Sequence, residues 1–392
     1  MEKEFKLKLI PYGRQNITIQ DIKAVSNALK SDLITTGPYV RKFEKKITSL
    51  LKAKYSISCT SGTAALHLVL LSIDLKKDDI IIMPAINFVA VYNLSKLIGA
   101  KIFLADVSSD TGQMTPNTLL ECIKKNKIKK IKAIVTMYLG GYPQNVYEFY
   151  KIKKKYNCFL IEDACHALGA KYKINNLVYH VGSCAHSDFC TFSLHPVKTI
   201  TSGEGGLITT NSKILGDKIK LLRSHGILKN CHWKYDVKFP ALNYRLSDIN
   251  CALAESQLKR IKKFIAIRKK IFNFYKKNLF PKNQILTLPN YKDINYSSFH
   301  LFLIKINFKK LKKNKDFFIK EMLNKKIMVQ FHYIPIFFFK NIYNKRFQKQ
   351  DFIGSISYQE THVSLPIYVG LSKKIIISIV KEINLFIKKY KR

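Results

Sequence analysis

The stretch TFSLHPVKTITSGEGG, residues 191–206, is the most informative part of this chain. It contains a serine, Ser193, five residues before a lysine, Lys198, and it ends in a Gly-Glu-Gly-Gly turn. A buried lysine amine shifts its pKa readily, which suits it to imine formation with an aldehyde and to general-base catalysis. Because the chain has 68 lysine and arginine residues, an isolated lysine is more often a solvated charge. The role of Lys198 therefore depends on its neighbours.

The formal net charge of +42 points at first to nucleic acid or an anionic membrane as a partner. Only 8 of the 68 basic residues are arginine, however, and recognition of phosphates or bases generally uses the bidentate arginine side chain. The lysines are spread along the whole chain, a composition typical of codon bias toward A and T. We therefore predict no nucleic-acid partner. The alternative, a basic nucleic-acid-binding protein, would bind DNA or RNA in a salt-sensitive manner.

The eight cysteines form no C-x-x-C pair, so the sequence predicts neither a metal site nor a redox motif. The N-terminus has no apolar segment of signal-peptide length, and no run approaches the roughly 18–20 apolar residues of a membrane span. We therefore expect a cytoplasmic protein with free thiols and no membrane partner.

Apolar runs alternate with amphipathic segments along the first part of the chain. We interpret the runs as buried strands and the segments between them as helices of about ten residues. Strands are predicted at residues 78–84, 101–106, 131–136 and 158–163, with helices at 18–31, 87–97, 116–125 and 145–156. Two more strands, 187–193 and 206–210, flank Lys198. This alternation indicates an α/β fold built on a mostly parallel sheet with right-handed crossovers.

Candidate site residues lie beside these strands. Ser61, Gly62 and Thr63 lie between a short strand and an apolar helix, where free backbone N–H groups and the helix dipole favour an anion such as phosphate. The alternative is a simple helix N-cap. Asp163 ends a strand, and the ligand crevice of an open parallel sheet lies at the carboxyl ends of its strands. His166, three residues further on, could face the same crevice; for both residues the alternative is a capping or loop role.

The pattern changes in the last third of the chain. A long helix is predicted from about Ser247 to Tyr275, followed by a smaller α+β unit. Its strands are predicted at residues 298–308 and 328–332 and its helices at 316–323 and 373–390. We predict a large α/β domain of residues 1–250, whose N-terminal arm (1–35) lines the site, and a small domain of residues 251–392 that begins with the long helix.

Four motifs occur in a fixed order: Ser-Gly-Thr before a helix, Glu-Asp with a histidine three residues later, S-x-x-x-x-K before GEGG, and NYRLSD (243–248) before a long helix. This ordered set resembles the DegT/StrS-type sugar aminotransferases over essentially the whole chain, from about Pro11 onward. The resemblance implies the type I fold of pyridoxal-phosphate-dependent transferases, similar to aspartate aminotransferase, with a mostly parallel seven-stranded sheet. It also implies pyridoxal 5′-phosphate as the cofactor and a homodimer whose active sites are shared between the subunits.

The resemblance implies catalytic roles for three residues. Lys198 would bind the cofactor as a Schiff base and then act as the base that transfers the proton. Asp163 would pair with the pyridinium nitrogen and keep it protonated, so that the ring acts as an electron sink. His166 would contact the side of the ring near its phenolic oxygen.

The resemblance also implies residues that bind the cofactor. Ser193 and the backbone of the Ser-Gly-Thr turn would hold its phosphate, and Phe88 would stack on its ring. Asn243 would reach the phosphate of the cofactor in the neighbouring subunit. The residues of the turn that contact the phosphate would be Gly62, Thr63 and Ala64.

Further stretches, including IPYGRQ (10–15), SDLITTGP (31–38) and VQFHYIPI (329–336), are similar to one branch of this family. That branch transfers an amino group from L-glutamate to C4 of a UDP-linked 4-keto-6-deoxy-N-acetylhexosamine, UDP-2-acetamido-2,6-dideoxy-β-L-arabino-hex-4-ulose, in pseudaminic acid synthesis. The alternatives are a relative that uses another nucleotide 4-keto sugar, of the perosamine, bacillosamine or dTDP-sugar type, and a non-catalytic relative that binds the cofactor. The substrate site would be formed by Tyr12, Asp32, Leu33, Ile34, Thr35, Ser61, His332, Tyr333, Ile334 and Pro335.

The chain departs from the family pattern at a few positions. Cys165 stands where serine or alanine is common. The segment Ile336–Phe339 is more apolar than expected for a loop that faces a sugar, which leaves the exact substrate open. Retention of Lys198 disfavours the dehydratases of the family, which carry histidine at that position.

Overall fold

The computed structural model describes residues 9–229, 231, 233–280, 285–342 and 347–392. Residues 1–8 of the predicted N-terminal arm lie outside the described residues. The α-helices of the described ranges are α1 (Ile19–Leu29), α2 (Pro38–Leu51), α3 (Gly62–Ser72), α4 (Ala90–Ile98), α5 (Pro116–Lys125), α6 (Val146–Tyr156), α7 (Lys213–Leu222), α8 (Asp248–Leu258), α9 (Ile261–Leu279), α10 (Lys315–Asn324), α11 (Ile353–Thr361) and α12 (Lys373–Tyr390). The strands are β1 (Tyr55–Cys59), β2 (Ile80–Pro84), β3 (Lys101–Ala105), β4 (Ala133–Met137), β5 (Phe159–Asp163), β6 (Lys171–Ile174), β7 (Leu177–His180), β8 (Phe189–Ser193), β9 (Gly206–Thr210), β10 (Ile227–Lys229), β11 (Tyr235–Val237), β12 (Leu286–Thr287), β13 (Phe302–Ile306) and β14 (His362–Leu365). None of these helices is both long enough and apolar enough to cross a lipid bilayer.

A central sheet of seven strands, all within the described residues, has the order β1-β9-β8-β5-β4-β2-β3. From β8 to β3 the neighbouring strands are parallel, whereas β9 runs antiparallel to both of its neighbours. The inner strands are buried, as in β4, where all five residues are buried. Burial on both faces is the reason that such strands appear in the sequence as continuous apolar runs. The predicted α/β class with a mostly parallel sheet is confirmed.

The carboxyl ends of β4, β5 and β8 lie side by side at one end of the sheet. Met137 of β4 lies beside Asp163 of β5, which in turn lies beside Thr191 of β8. Ser193 ends β8 two residues further on, opposite Gly206, the first residue of β9. Ligand crevices of parallel sheets form at this end. The topology alone therefore brings Asp163 and Ser193 together.

Helix α2 is absent from the sequence-based prediction. Its first turn is capped by a residue far away in the chain, Asp248, whose side chain is fully buried. The Asp248 carboxylate accepts hydrogen bonds from the backbone N–H groups of Gly37 (2.7 Å), Tyr39 (2.7 Å) and Val40 (3.3 Å). Because the cap comes from α8, the local sequence lacks the usual polar residue that marks the start of a helix.

Removal of the Asp248 carboxylate is expected to destabilise the fold. Asp248→Ala leaves the N–H donors at the start of α2 without their acceptor, which should lower the free energy of unfolding by about 2–3 kcal/mol. The measurement is urea unfolding followed by circular dichroism. Asp217→Ala, which removes a half-exposed aspartate from α7, is the matched control and should change the midpoint little. Equal midpoints for the two variants would contradict the capping role.

The last third of the chain forms a smaller α+β unit around the antiparallel sheet β12-β13-β14. The prediction of one long helix is wrong, because α8 ends at Leu258 and α9 begins at Ile261. Helix α8 packs into the core of the central sheet through Cys251. Helix α9 packs into the core of the small sheet through Phe272 and Tyr275. Ile261 and Phe264 at the start of α9 still pack in the core that contains Cys251, so α9 passes from one core to the other.

The predicted strand at residues 328–332 is also wrong. Met328 donates its N–H to the carbonyl oxygen of Ile10 (2.9 Å), whereas Gln330 pairs with Ser364 of β14 as an isolated bridge. The two residues bond to different segments, so no continuous ladder forms. The segment instead joins the N-terminal arm to the small sheet.

The segment after Pro335 connects the small unit to the central sheet. Ile336 donates its N–H to the carbonyl oxygen of Ala85 (2.9 Å), just after β2, and the side chains of Ile336 and Phe337 are buried in the core of that sheet. The apolar character of Ile336 and Phe337 therefore reflects packing, whereas Phe338 and Phe339 are each 37% exposed. The expectation that Ile336 and Phe337 belong to a loop facing a sugar is wrong.

A second connection between the two units is made by Asp106, just after β3. Its carboxylate accepts the N–H groups of Gly354 and Ser355, both at 2.8 Å, and so caps the start of α11. A Cβ at Gly354 would lie 1.9 Å from the carbonyl oxygen of Val107, so this close approach requires glycine. Helix α11 is therefore fixed to the central sheet at its N-terminus.

Candidate active site

A cavity of about 540 Å³ opens at the carboxyl end of the central sheet. Cavities of this size are typical of small-molecule sites. Of the residues proposed from the sequence, those that line it are Tyr12, Ser61, Gly62, Thr63, Phe88, Asp163, His166, Ser193, Lys198, His332 and Tyr333. Among the described residues, those proposed but not found in its lining are Asp32, Leu33, Ile34, Thr35, Ala64, Asn243, Ile334 and Pro335.

Lys198 lies on the turn that follows β8, where its backbone N–H bonds to the carbonyl oxygen of His195 (2.9 Å). Burial lowers the pKa of the Lys198 amine, and the neighbouring Cys165 and Asp163 partly oppose that shift. A lowered pKa increases the neutral fraction of the amine. That neutral form attacks a carbonyl carbon and accepts a proton.

Asp163 closes β5 with only 3% of its surface exposed. Its Oδ1 accepts the backbone N–H of Cys165 at 3.2 Å. Burial raises the pKa of Asp163, even though hydrogen bonds from Cys165 and the positive charge of Lys198 act in the opposite direction. A cation bound in the cavity beside Asp163 would therefore stabilise the ionised carboxylate.

His166 is buried, and both of its ring nitrogens have partners. Nδ1 accepts the backbone N–H of Gly140 (3.2 Å), and Nε2 lies 3.0 Å from the hydroxyl oxygen of Tyr333. The ring of His300 lies against it, with 4.3 Å between the centroids. Burial and the positive charge of Lys198 hold the pKa of His166 well below its ordinary value, so the ring is neutral at neutral pH.

The start of α3 lines the cavity through Ser61, Gly62 and Thr63. Ser61 caps the helix by accepting the N–H of Ala64 on its hydroxyl oxygen (3.0 Å), so the Ala64 N–H is already paired. The N–H groups of Gly62 and Thr63, in the first turn, have no partner inside the helix. A Cβ at Gly62 would lie 3.0 Å from the Cβ of Ser193, so the helix start packs directly against the end of β8. With the helix dipole, these donors suit a phosphate group.

These groups fit the cofactor that the sequence implies. Lys198 offers an amine to its aldehyde, Asp163 offers a carboxylate to its ring nitrogen, and the start of α3 offers a site for its phosphate. Phe88, half exposed on the cavity wall, offers an aromatic face. Among these groups, Asp163 gives the strongest support for the cofactor. Its raised pKa is that of a buried carboxylate, which a cationic ring nitrogen would stabilise.

The loops that carry Asp32–Thr35 and Asn243 lie together on the surface. Thr35 bridges to Ser247, and Asn243 bridges to Ser224 near the hairpin of β10 and β11. We call the exposed side chains around these loops the apolar face. Its large apolar residues are Leu33, Ile34, Leu228, Trp233, Tyr235, Val237 and Leu242. Exposed apolar side chains are typical of interaction sites where they form a large contiguous patch.

Several residues of the site were missed by sequence reasoning. Cys165, Glu204 and Gln330 line the cavity, and His300 lies behind its wall. Glu204 lies in the Gly-Glu-Gly-Gly turn and Cys165 lies two residues after Asp163, so both could have been found from their neighbours. Gln330 lies in the stretch VQFHYIPI, two residues before His332, and could have been found in the same way. His300 belongs to the small unit and reaches the site through tertiary packing, which no local signal reveals.

Comparison with known proteins identifies one family. Residues 15–384 match the DegT/DnrJ/EryC1/StrS aminotransferase family. A UDP-4-amino-4,6-dideoxy-N-acetyl-β-L-altrosamine transaminase of Campylobacter jejuni subsp. jejuni (serotype O:23/36, strain 81-176) is 36% identical over 366 residues, covering 93% of this chain and 94% of its own. GDP-perosamine synthase of Escherichia coli O157:H7 is 29% identical over 97% of this chain and 99% of its own.

The structural comparison agrees with the sequence comparison. The solved structure of Helicobacter pylori PseC, described as an aminotransferase involved in the biosynthesis of pseudoaminic acid, has a TM-score of 0.88 at 29% identity. It covers 97% of this chain and 100% of its own. This similarity confirms the aminotransferase fold that the sequence predicts.

Proposed function

Because this chain belongs to the DegT/DnrJ/EryC1/StrS aminotransferase family, we propose that it transfers an amino group from L-glutamate to C4 of a UDP-linked 4-keto-6-deoxy-N-acetylhexosamine, as a step of pseudaminic acid synthesis. Membership makes the chain a pyridoxal-phosphate-dependent sugar aminotransferase. Similarity to the altrosamine transaminase over 93% of the chain supports the finer assignment of the amino acceptor. The structural observation that supports the reaction is that Lys198, Asp163 and the start of α3 face one cavity.

The residues of the cavity have distinct tasks in this proposal. When bound, pyridoxal 5′-phosphate supplies the aldehyde that receives the amino group and the conjugated ring that withdraws electrons. The neutral amine of Lys198 removes and returns the proton at the substrate carbon that carries the amino group. Asp163 favours the protonated ring nitrogen by charge pairing. Gly62, Thr63 and Ser193 hold the phosphate, which keeps the ring in place.

The proposal is tested by supplying the purified protein with L-glutamate and UDP-2-acetamido-2,6-dideoxy-β-L-arabino-hex-4-ulose. Product analysis by mass spectrometry and NMR should show a C4 amine and an equal amount of 2-oxoglutarate. Conversion of a different nucleotide 4-keto sugar, but not of this one, would exclude the proposed acceptor and leave the reaction class intact. Formation of neither product with any nucleotide 4-keto sugar supplied would identify a non-catalytic relative.

A second candidate acceptor is a GDP-linked 4-keto sugar. The similarity to GDP-perosamine synthase extends over 97% of the chain, although the identity is lower, at 29%. The two acceptors differ in the nucleotide and in the 2-acetamido group. Competition between them in one reaction compares their kcat/KM values directly.

We also propose a homodimer in which loops of one subunit complete the cavity of the other. Asp32–Thr35 and Asn243 lie outside the cavity of their own chain, beside the apolar face. In a two-fold dimer the same face meets its own copy, which would remove these apolar side chains from water. Sedimentation velocity should give twice the mass of the chain. A monomer at micromolar concentration would contradict the proposal.

A further inference from the structure

Both nitrogen atoms of the His166 ring are already used inside the protein. Nδ1 accepts the backbone N–H of Gly140 at 3.2 Å, and Nε2 lies 3.0 Å from the hydroxyl oxygen of Tyr333. The turn at Gly140 requires glycine, because its φ is +73° and a Cβ there would lie 2.8 Å from the ring of Tyr142. Each ring nitrogen of His166 therefore has a partner within the protein.

The Gly140 contact determines the tautomer of His166. A ring nitrogen that accepts an N–H hydrogen bond carries no proton, so in the neutral ring the proton lies on Nε2. Burial and the positive charge of Lys198 lower the pKa of His166, which keeps the ring neutral. The Nε2–H group must therefore donate to the oxygen of Tyr333, and Tyr333 does not donate to His166.

The hydroxyl hydrogen of Tyr333 is consequently available. Tyr333 lines the cavity, with its ring centroid 5.8 Å from that of Phe88. Within the part of the chain that the structure describes, His166 is the partner of its hydroxyl group. Burial and the negative charge of Asp163 raise the pKa of Tyr333 well above its ordinary value, so the hydroxyl stays protonated. The cavity thus contains a neutral O–H donor whose oxygen is held by His166.

The small unit holds the backbone on which Tyr333 lies. The preceding residue, His332, is buried, and its Nδ1 is 2.8 Å from the hydroxyl of Ser364 on β14. The carbonyl oxygen of His332 accepts a hydrogen bond from the Tyr358 hydroxyl (2.9 Å). Because these contacts fix the backbone and His166 fixes the side-chain oxygen, the donor is preorganised before a substrate binds.

We propose that Tyr333 donates a hydrogen bond to the carbonyl oxygen of the keto substrate, and that His166 is a positioning residue that orients Tyr333. This inference rests on the proposed function, in which the substrate is a ketone. When a nitrogen nucleophile adds to a carbonyl carbon, the electron pair of the C=O bond moves onto the oxygen, where a donor stabilises the transition state most. Tyr333 keeps its proton. The ketone oxygen finally leaves as water. Both hydrogens of that water come from the attacking amine, and Lys198 transfers them.

Tyr333→Phe removes the hydroxyl group and keeps the ring. The probe is 2-oxoglutarate, mixed in a stopped-flow instrument with the aminated form of the enzyme, because it is a ketone whichever sugar the protein uses. We expect the single-turnover rate constant to fall about 10²- to 10³-fold. The absorbance spectrum of the resting enzyme and the affinity of the cofactor-free protein for pyridoxal 5′-phosphate should not change. Tyr150→Phe, on α6 and outside the cavity, is the matched control.

His166→Leu tests whether His166 acts through Tyr333. A positioning role predicts that the two substitutions are not additive, so the double variant should be no slower than Tyr333→Phe alone. His166→Gln carries a side-chain amide that can donate to the tyrosine oxygen, and it should recover part of the rate that His166→Leu loses. A purely structural role of His166 would not produce this recovery.

Three results would overturn the assignment. The first is a single-turnover rate constant of Tyr333→Phe within about twofold of the wild-type value. The second is a loss of rate in the double variant equal to the product of the two single losses. The third is a changed absorbance spectrum of resting Tyr333→Phe, which would mean that Tyr333 donates its hydrogen bond to the cofactor. If Tyr333→Phe does not fold, equal rates for His166→Leu and His166→Gln overturn the positioning role. Failure of the proposed function looks different, because the wild-type protein itself would then not react with 2-oxoglutarate.

Discussion

Lys198→Ala is expected to abolish transamination, lowering kcat by more than about 10³-fold. In the proposed function the Lys198 amine has two tasks, covalent attachment of the cofactor and transfer of the proton at the substrate carbon, and alanine can do neither. The start of α3 remains intact, so the variant should still bind the phosphate group. The measurements are turnover of L-glutamate with the UDP-linked keto sugar, and the visible absorbance of the lysine-bound cofactor, which should be absent.

Two control variants separate the chemistry of Lys198 from its charge. Lys198→Arg keeps a positive charge near Asp163 but has no amine that can form the covalent bond, so it should be as inactive as the alanine variant. Lys213→Ala removes an exposed lysine of α7 and should leave turnover unchanged. Substantial turnover by Lys198→Ala would rule out the role assigned to this residue.

Asp163→Asn is expected to lower kcat about 10²- to 10³-fold while the cofactor still binds. Asparagine has nearly the same size and can still accept the Cys165 N–H hydrogen bond, but it carries no negative charge to favour a protonated ring nitrogen. The measurements are kcat with both substrates and a titration of the cofactor-free protein with pyridoxal 5′-phosphate. A wild-type kcat would exclude the charge-pairing role, and loss of cofactor binding would mean that Asp163 acts mainly as an anchor.

The same substitution is expected to stabilise the cofactor-free protein near neutral pH. Burial raises the pKa of Asp163 in the folded state, so the ionised carboxylate opposes folding. Asp163 makes its full contribution to the free energy of unfolding below its unfolded-state pKa of about 3.9, where the carboxyl group is protonated. That contribution is lost as the pH rises through the folded-state pKa. Since asparagine does not titrate, the gain in Tm over the wild-type protein should grow from acidic to neutral pH. A gain that is constant with pH would contradict this account.

The strands of the central sheet could be predicted because their signal is local. Continuous apolar runs such as DDIIIMP and CFLIED correspond to strands buried on both faces. The β10–β11 hairpin has no such signal, because all three residues of β11 are exposed. Helix α2 escaped prediction for another reason, since its cap, Asp248, is supplied by a distant helix.

The candidate site could be predicted in part for the same reason. Asp163 and Ser193 end neighbouring parallel strands, and Lys198 follows the second of them, so sheet topology brings all three together. The contact between Tyr333 and His166 joins residues 167 positions apart and depends on how the small unit packs. Sequence spacing carries no information about such a contact.

The anchoring of the small unit by Ile336, Phe337 and Asp106 bears on how enzymes of this type can be recombined. A chimaera that takes residues 251–392 from one relative and the rest from another would receive foreign side chains in the core beneath β2, and a foreign α11 on the Asp106 cap. The boundary between the two units in the sequence is therefore a poor crossover point for a chimaera. A crossover that keeps the residues after Pro335 together with the parental β2 and β3 preserves this packing.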